Sequence, residues 1–172
     1  MNIDFHYGVV YLVARIAGMT PVDAETVAHA GQYVDDSTTT GVLAFEGGET
    51  FERLPTAHKM LDDRNFDPKK DNAVWAPFHF LPGNRGDELD DRVVCRPDSP
   101  VARRMVAAAL ATKSTDIGLH RLGIALHVYV DTWAHQGFCG TLSRNNVVTR
   151  LDRKSTRLNS SHTDISRMPS SA

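Results

Sequence analysis

Residues 114–137 carry the strongest helical pattern in the chain and constrain its fold more than any other segment. The segment reads STDIGLHRLGIALHVYVDTWAHQG, and its histidines and one aspartate recur at whole helical turns. Four of them fall on one stripe of the predicted helix: His120, His127, Asp131 and His135. Because Ile124 and Val128 flank this stripe, we expect it to face other parts of the protein, where buried polar groups need partners.

The row His127, Asp131 and His135 predicts a metal site. Side chains on successive turns lie about 5–6 Å apart at Cβ, so their tips can converge on one ion or on a close pair. Asp131, between two histidines, is the expected shared ligand. The row does not choose among zinc, manganese and iron, because imidazole and carboxylate suit all three metals. The alternative is a set of structural histidines that hydrogen-bond to neighbouring helices.

Further candidate ligands lie upstream. Asp4 and His6 form an Asp-x-His pair, which in an extended segment places both side chains on one side. His58 lies close in sequence to Leu54 and Leu61, so a packing role and a ligand role are equally supported for it.

Two adjacent acids, Asp35 and Asp36, end the second predicted helix. Asp36 shares a face with His29 and Gln32, which makes Asp36 the candidate ligand of the pair. The alternative is that both acids are solvated at the helix C-terminus, where the helix dipole disfavours them. His79, in PFHFLPG, is expected to be structural or to line a pocket rather than to bind metal.

The periodicity predicts an all-α fold, a helical bundle with one small β-hairpin. Helices are expected over residues 5–17, 21–37, 56–61, 100–112 and 114–137, with a hairpin around Gly47 and Gly48. Thr20 and Pro21 are typical of a helix start, and Gly18 of the preceding helix end. Residues 62–99 read as an irregular connection. The first helix has four apolar candidates for its buried face: Val9, Leu12, Val13 and Ile16.

Residues 152–172 differ in composition from the 151 residues before them. They are rich in serine and other polar residues, lack periodicity and offer little to bury, so we expect a disordered tail. Most of this tail also resembles the forward translation of a common sequencing-library adapter. We therefore expect one incomplete helical domain over residues 1–151, truncated at its C-terminus, followed by a non-native tail.

Composition excludes several classes of function. The net charge of −2 gives no electrostatic signal for nucleic acid, and the two cysteines form no CxxC pair. No apolar run is long enough for a membrane span, and no signal peptide is evident, so we expect a cytoplasmic protein. Glycine-rich phosphate loops and GxSxG elbows are absent from the sequence. The oligomeric state is left open.

Six segments together resemble an uncharacterised bacterial protein family to which no activity is assigned: DFHYG, AHAGQYVDDST, AHKMLDDRN, PFHFLPGN, CRPDSPVA and LHRLGIALHVYVDTWAHQGF. The order of the acids and histidines is also similar to the zinc-dependent phospholipase C and single-strand-nuclease superfamily, whose helical members hydrolyse phosphoesters with clustered zinc ions.

The superfamily resemblance implies a first zinc held by four residues: Asp36, His58, His127 and Asp131. It also implies that Asp131 bridges to a zinc shared with His6, and that His135 begins the ligand set of another zinc. The chain departs from that pattern because it lacks the N-terminal tryptophan ligand, and because Asp131 and His135 lie closer in sequence than is usual there.

Three functions remain open. The first is a zinc-dependent hydrolase acting on a phosphoester, with Asp131 as the bridging ligand at the catalytic centre. The second is a helical phosphohydrolase of the histidine/aspartate type, with a metal site formed by His29, Asp36, His58 and Asp131. The third is a non-enzymatic module that is structural or binds metal. Substitution of His29 separates the first two, and metal analysis separates the third.

Overall fold

The computed structural model describes residues 3–59 and 68–148, and it confirms a mostly helical fold with one hairpin. A π-helical segment, Asp4–Val9, continues directly into α1. The remaining elements follow in chain order: α1 Val10–Ile16, α2 Pro21–Asp36, β1 Gly41–Ala44, β2 Thr50–Arg53, α3 Pro68–Phe78, α4 Leu89–Arg92, α5 Pro100–Ala111, α6 Gly118–Ala134 and a 3₁₀ turn Arg144–Asn146.

The first helix forms where expected, but it buries a different face. Its inward residues are His6, Val10 and Ala14. The four apolar residues expected to be buried are all exposed: Val9, Leu12, Val13 and Ile16. The helix packs against α2, whose buried face consists mainly of alanine, glycine and valine. Side-chain size therefore does not identify the buried face of this helix, because the close contact with α2 is made by smaller residues and by one histidine.

Helix α2 begins as its sequence predicts. The Thr20 hydroxyl accepts a hydrogen bond from the backbone N–H of Asp23 at 3.1 Å, and Pro21 occupies the first turn. The preceding helix ends at Gly18, whose φ of 89° is the left-handed conformation that glycine adopts readily. The local sequence thus determines how the chain turns from α1 into α2.

Helices α2 and α6 cross at a point where both backbones carry glycine. A Cβ atom added to Gly123 would collide with the carbonyl oxygen of Val27 and lie 2.8 Å from the Cβ of Ala30. A Cβ on Gly31 would lie 3.3 Å from the carbonyl oxygens of both Gly123 and His6. The π-helical segment, α2 and α6 therefore meet backbone to backbone. One turn beyond this contact on each long helix come Asp35 and His127.

The expected short helix over residues 56–61 does not form within residues 56–59, and the rest of it lies outside the described residues. The N–H groups of Thr56 and Ala57 donate instead to the carbonyl oxygen of Ser37, at 2.9 and 3.2 Å. The Thr56 hydroxyl donates to the carbonyl oxygen of Val34 at 2.7 Å. These hydrogen bonds satisfy carbonyl groups at the C-terminal end of α2, and they occupy N–H groups of residues 56 and 57 in a segment that is not helical.

The prediction that residues 62–99 are irregular was wrong, because they contain α3 and α4. Helix α3 contains Pro77 in its last turn, and its sequence lacks a strong apolar period. Trp75 from this helix packs with Phe80, Cys95 and the partly buried Phe138 in a small second core. Tertiary packing therefore supplies the stabilisation that the local pattern does not predict.

The hairpin pairs β1 with β2 in antiparallel register, with Ala44 opposite Thr50. Its loop contains Gly48 at a φ of 91°, as expected for this turn. All residues of the two strands are exposed except Arg53, which is half-buried. The hairpin therefore adds little to the core. The main core lies where α2, α5 and α6 meet, around Val27, Ala109 and Leu122.

We predict that Gly123→Ala destabilises the protein by about 3 kcal/mol or more, because the new methyl group has no room at the crossing of α2 and α6. The measurement is the urea midpoint of unfolding. Gly8→Ala is the matched control, since a Cβ at Gly8 would meet no atom within 4 Å. The control should change stability by less than about 1 kcal/mol, in the stabilising direction. If the two substitutions changed stability equally, the close backbone contact between α2 and α6 at Gly123 would be contradicted.

Candidate metal centre

Four separate elements bring histidine and aspartate side chains into one buried cluster. The π-helical segment contributes His6, the last turn of α2 contributes Asp35, and the residue after α3 contributes His79. Helix α6 contributes His127 and Asp131, and His135 follows at its end. We call these six residues the His/Asp cluster. His6, His127 and Asp131 are fully buried, and the side chain of His135 is 23% exposed.

The Asp131 carboxylate lies at the centre of the His/Asp cluster. Its Oδ2 atom lies 3.1 Å from His79 Nδ1, 3.4 Å from His127 Nε2 and 3.5 Å from His135 Nε2. Its Oδ1 atom lies 3.3 Å from His6 Nε2. His127 and His135 each lie four residues from Asp131, so they stand one turn to either side of it.

Asp35 lies on the other side of the cluster, at slightly longer range. One of its carboxylate oxygens lies 3.8 Å from His79 Nδ1 and 4.0 Å from His127 Nε2, and the other lies 3.9 Å from His6 Nε2. A carboxylate at a helix C-terminus is disfavoured by the helix dipole. Positive charge in the cluster would offset that cost.

The donor atoms are spaced like the corners of a coordination polyhedron. His79 Nδ1, His127 Nε2 and Asp131 Oδ2 form a triangle with sides of 3.1, 3.3 and 3.4 Å. Ligands held at about 2.1 Å by a tetrahedral ion are separated by about 3.4 Å. Two overlapping groups of donors could each hold a metal ion: His6, His127 and Asp131, and Asp35, His79 and His127.

The backbone fixes the tautomer of His79. Its Nε2 atom lies 2.9 Å from the carbonyl oxygen of Thr56, which can only accept a hydrogen bond, so Nε2 carries a proton. In a neutral imidazole, Nδ1 is then a bare acceptor, and it faces the Asp131 carboxylate at 3.1 Å. Two facing acceptors require a proton or a cation between them. A backbone carbonyl that orients a histidine in this way is the usual support of a metal ligand.

Burial and the surrounding charges set the ionisation of the α6 residues. Burial alone raises the pKa of the Asp131 carboxyl, but contacts with four imidazoles outweigh burial and hold this pKa well below its usual value. For His127, burial lowers the pKa more strongly than Asp131 raises it. The favoured state is therefore an ionised Asp131 beside a neutral His127, which are the forms that bind metal.

Aromatic rings surround the His/Asp cluster. The ring centroid of Trp75 lies 5.2 Å from that of His79, and the ring centroid of Phe80 lies 4.3 Å from that of His135. The rings of His6 and His127 stack at 3.9 Å. These contacts limit the rotation of the imidazoles and keep their nitrogens directed at the carboxylates.

The structure gathers four of the six residues proposed as ligands from the sequence: His6, His127, Asp131 and His135. It does not bring Asp36 to the cluster, because Asp36 is exposed and its Oδ2 atom accepts a hydrogen bond from Gln32 at 3.3 Å. His58 is buried with its ring edge-on to Trp75. Within the described residues, neither Asp36 nor His58 belongs to the two donor groups.

Two other histidines considered from the sequence are exposed and do not belong to the His/Asp cluster. His29 is exposed, with its ring centroid 6.1 Å from that of Tyr33, and His120 is exposed on α6. The histidine/aspartate-type site expected from the sequence needs His29 and Asp36 beside Asp131. Because both residues are exposed whereas Asp131 is buried, they do not join Asp131 in the His/Asp cluster.

Sequence reasoning missed Asp35 and His79. The phase of α2 could have identified Asp35, because it continues the row of small buried residues Ala24, Ala28 and Gly31. Nothing comparable marks His79, which lies between two phenylalanines in a segment without periodicity. Its position depends on α3 and on the carbonyl group of Thr56.

The fold and the His/Asp cluster together define a class: a helical domain with a buried set of metal-capable side chains. The chain belongs to the family of unknown function DUF6765, whose model matches residues 1–170. No curated protein and no solved structure matches the chain. The comparisons therefore provide no evidence for the resemblance to the zinc-dependent phospholipase superfamily.

The family match extends through most of the tail over residues 152–172, so the expected domain boundary and the non-native origin of the tail stay predictions. The tail lies outside the described residues. Among the residues that are described, no helix combines the length and the apolar character needed to cross a membrane.

We predict that the Cys95 thiol is unreactive in the native, metal-free protein. Burial, together with the nearby charges of Asp131 and Cys139, raises the pKa of Cys95 to about 12. At pH 8, iodoacetamide should therefore alkylate Cys95 roughly 10³-fold more slowly in the native chain than in urea. Peptide mass spectrometry measures the two cysteines separately. Similar native and denatured rates would contradict the buried position of Cys95.

Proposed function

We propose that this domain binds zinc at the His/Asp cluster and uses it to hydrolyse a phosphoester. The observation that carries the proposal is the arrangement of His79. Its Nε2 atom donates to the Thr56 carbonyl, which directs Nδ1 at the buried carboxylate of Asp131, where either a proton or a metal ion can join the two atoms. A divalent cation in place of that proton would form coordinate bonds to both His79 and Asp131.

The donor set favours zinc over a harder cation. Imidazole nitrogens outnumber carboxylate groups in the cluster, and the triangle of donors has the edge lengths of a tetrahedron. Octahedral coordination at a similar bond length would bring neighbouring ligands to about 3.0 Å. Manganese and iron remain compatible with the residue types, since both accept imidazole and carboxylate.

Partial exposure of His135 supports a catalytic role for the centre. His6, His79, His127 and Asp131 are at most 3% exposed, so His135 marks the side on which a water molecule or a substrate oxygen could approach. Zinc lowers the pKa of a bound water toward about 7 and stabilises negative charge on a phosphoryl oxygen. In this proposal Asp131 is the central ligand, and Asp35, rather than Asp36, is the second carboxylate.

The deep burial of most donors supports a second candidate, a structural metal site. An ion in the cluster would link the π-helical segment, α2, the end of α3 and α6, and it would stabilise the fold without catalysis. The two candidates share the ion and differ only in turnover, so both binding and hydrolysis must be measured.

We predict that the purified chain contains zinc and that Asp131→Asn removes at least about 90% of it, because an amide cannot balance the charge of the ion. The measurement is elemental analysis after dialysis. His29→Ala is the control and should retain the wild-type content, because His29 is exposed and stacks only on Tyr33 among the ring contacts described. A metal-free wild-type chain would remove the basis of both candidates.

We further predict that the zinc-loaded chain hydrolyses bis(p-nitrophenyl) phosphate and that chelation abolishes this activity. Chelation should also lower the melting temperature, because a ligand bound only to the folded state stabilises it. Release of p-nitrophenol and thermal unfolding are followed on the same samples. A fall in melting temperature without any hydrolysis by the loaded chain would favour the structural site.

A further inference from the structure

Each of the two carboxylates in the His/Asp cluster has one oxygen near His6 and the other near His79 and His127. Asp131 directs Oδ1 to His6, at 3.3 Å, and Oδ2 to His79 and His127, at 3.1 and 3.4 Å. Asp35 repeats this division, with Oδ2 at 3.9 Å from His6 and Oδ1 at 3.8 and 4.0 Å from His79 and His127. Each carboxylate therefore spans two places where nitrogen donors gather.

We propose that the centre holds two divalent cations bridged by both carboxylates. The proposal rests on the proposed function in one respect, that the cluster binds metal. The first position is lined by His79 Nδ1, His127 Nε2, Asp131 Oδ2 and Asp35 Oδ1. The second position is lined by His6 Nε2, Asp131 Oδ1 and Asp35 Oδ2. Two ions that act together are typically about 3.5–4 Å apart.

His6 is the residue that requires the second ion. Its side chain is fully buried, and among the described residues neither ring nitrogen has a hydrogen-bond partner. Nε2 lies 3.3 Å from Asp131 Oδ1 without the alignment of a hydrogen bond. Burying an imidazole in this state costs free energy. An ion placed only among the donors of the first position would leave that cost in place.

The stacking of His6 on His127 supports two positions side by side. The rings lie 3.9 Å apart at an angle of 23°, so they are nearly parallel. His127 Nε2 faces Asp131 Oδ2, whereas His6 Nε2 faces Oδ1 of the same carboxylate. Parallel rings whose Nε2 atoms face the two oxygens of one carboxylate are suited to two neighbouring ions, one bound by each Nε2.

Charge connects the second ion with the proposed substrate. In the deprotonated forms that bind metal, the two carboxylates and the imidazoles together carry a charge of about −2, which one divalent cation balances. A second cation leaves a positive excess inside a buried cluster. An anionic oxygen ligand would offset this excess, and a phosphoester supplies such an oxygen. The two positions are also unequal, because the first has four donors and the second has three, so the first should fill before the second.

The test is a titration of the metal-free full chain with Mn²⁺, followed by electron paramagnetic resonance and elemental analysis. We expect two ions per chain, with the six-line signal of an isolated ion giving way to a coupled spectrum at the second equivalent. Zinc loading should give the same stoichiometry. Saturation at one ion would overturn this proposal and leave a single-metal function intact, whereas no binding would overturn both.

The placement of the second ion is tested with His6→Asn. This variant should bind one Mn²⁺ instead of two and keep the isolated six-line signal at saturation. His29→Asn is the matched control, since it makes the same change at an exposed histidine, and it should bind two coupled ions. A His6→Asn variant that still binds two coupled ions would overturn the placement. If His6→Asn fails to fold, the wild-type titration decides the ion count.

Discussion

The absence of a side chain at Gly123 is the constraint on which the His/Asp cluster depends. Any side chain there would strike the carbonyl group of Val27, so only glycine allows α6 to approach α2 this closely. Asp35 and His127 lie one turn beyond the crossing, and their distance of 4.0 Å is a consequence of it. Backbone contact between helices thus brings together donors from distant parts of the chain, which short side chains such as aspartate could not reach across a wider interface.

The charges of the side chains that this close approach brings together determine what the His/Asp cluster can bind. Asp131 is buried and ionised, and a buried carboxylate is stable only when opposite charge or hydrogen bonds compensate it. The surrounding imidazoles provide compensation, and the hydrogen bond from His79 Nε2 to the Thr56 carbonyl directs His79 Nδ1 at Asp131. The cluster therefore presents nitrogen and oxygen atoms that could hold either shared protons or a metal ion.

Local sequence signals located most of the helices and part of the centre. Thr20 and Gly18 were sufficient to place the boundary between α1 and α2, because capping and left-handed glycine are local effects. The i, i+4 spacing likewise placed His127, Asp131 and His135 on one face of α6. The buried face of the first helix was missed because its four exposed apolar side chains, two valines, a leucine and an isoleucine, outweigh His6, Val10 and Ala14 in any hydrophobic pattern.

The sequence by itself determined the helical class, the helix boundaries that caps define, and the imidazole-carboxylate row of α6, since each depends on residues within a few turns of one another. The phase of α2 distinguishes Asp35 from Asp36, but only the tertiary structure decided that Asp35 meets this row and that His79 joins it. Those choices depend on the crossing angle and depth of α2 against α6 and on a carbonyl group from the segment after the hairpin. Contacts between residues so far apart in the chain leave no periodic trace in the sequence.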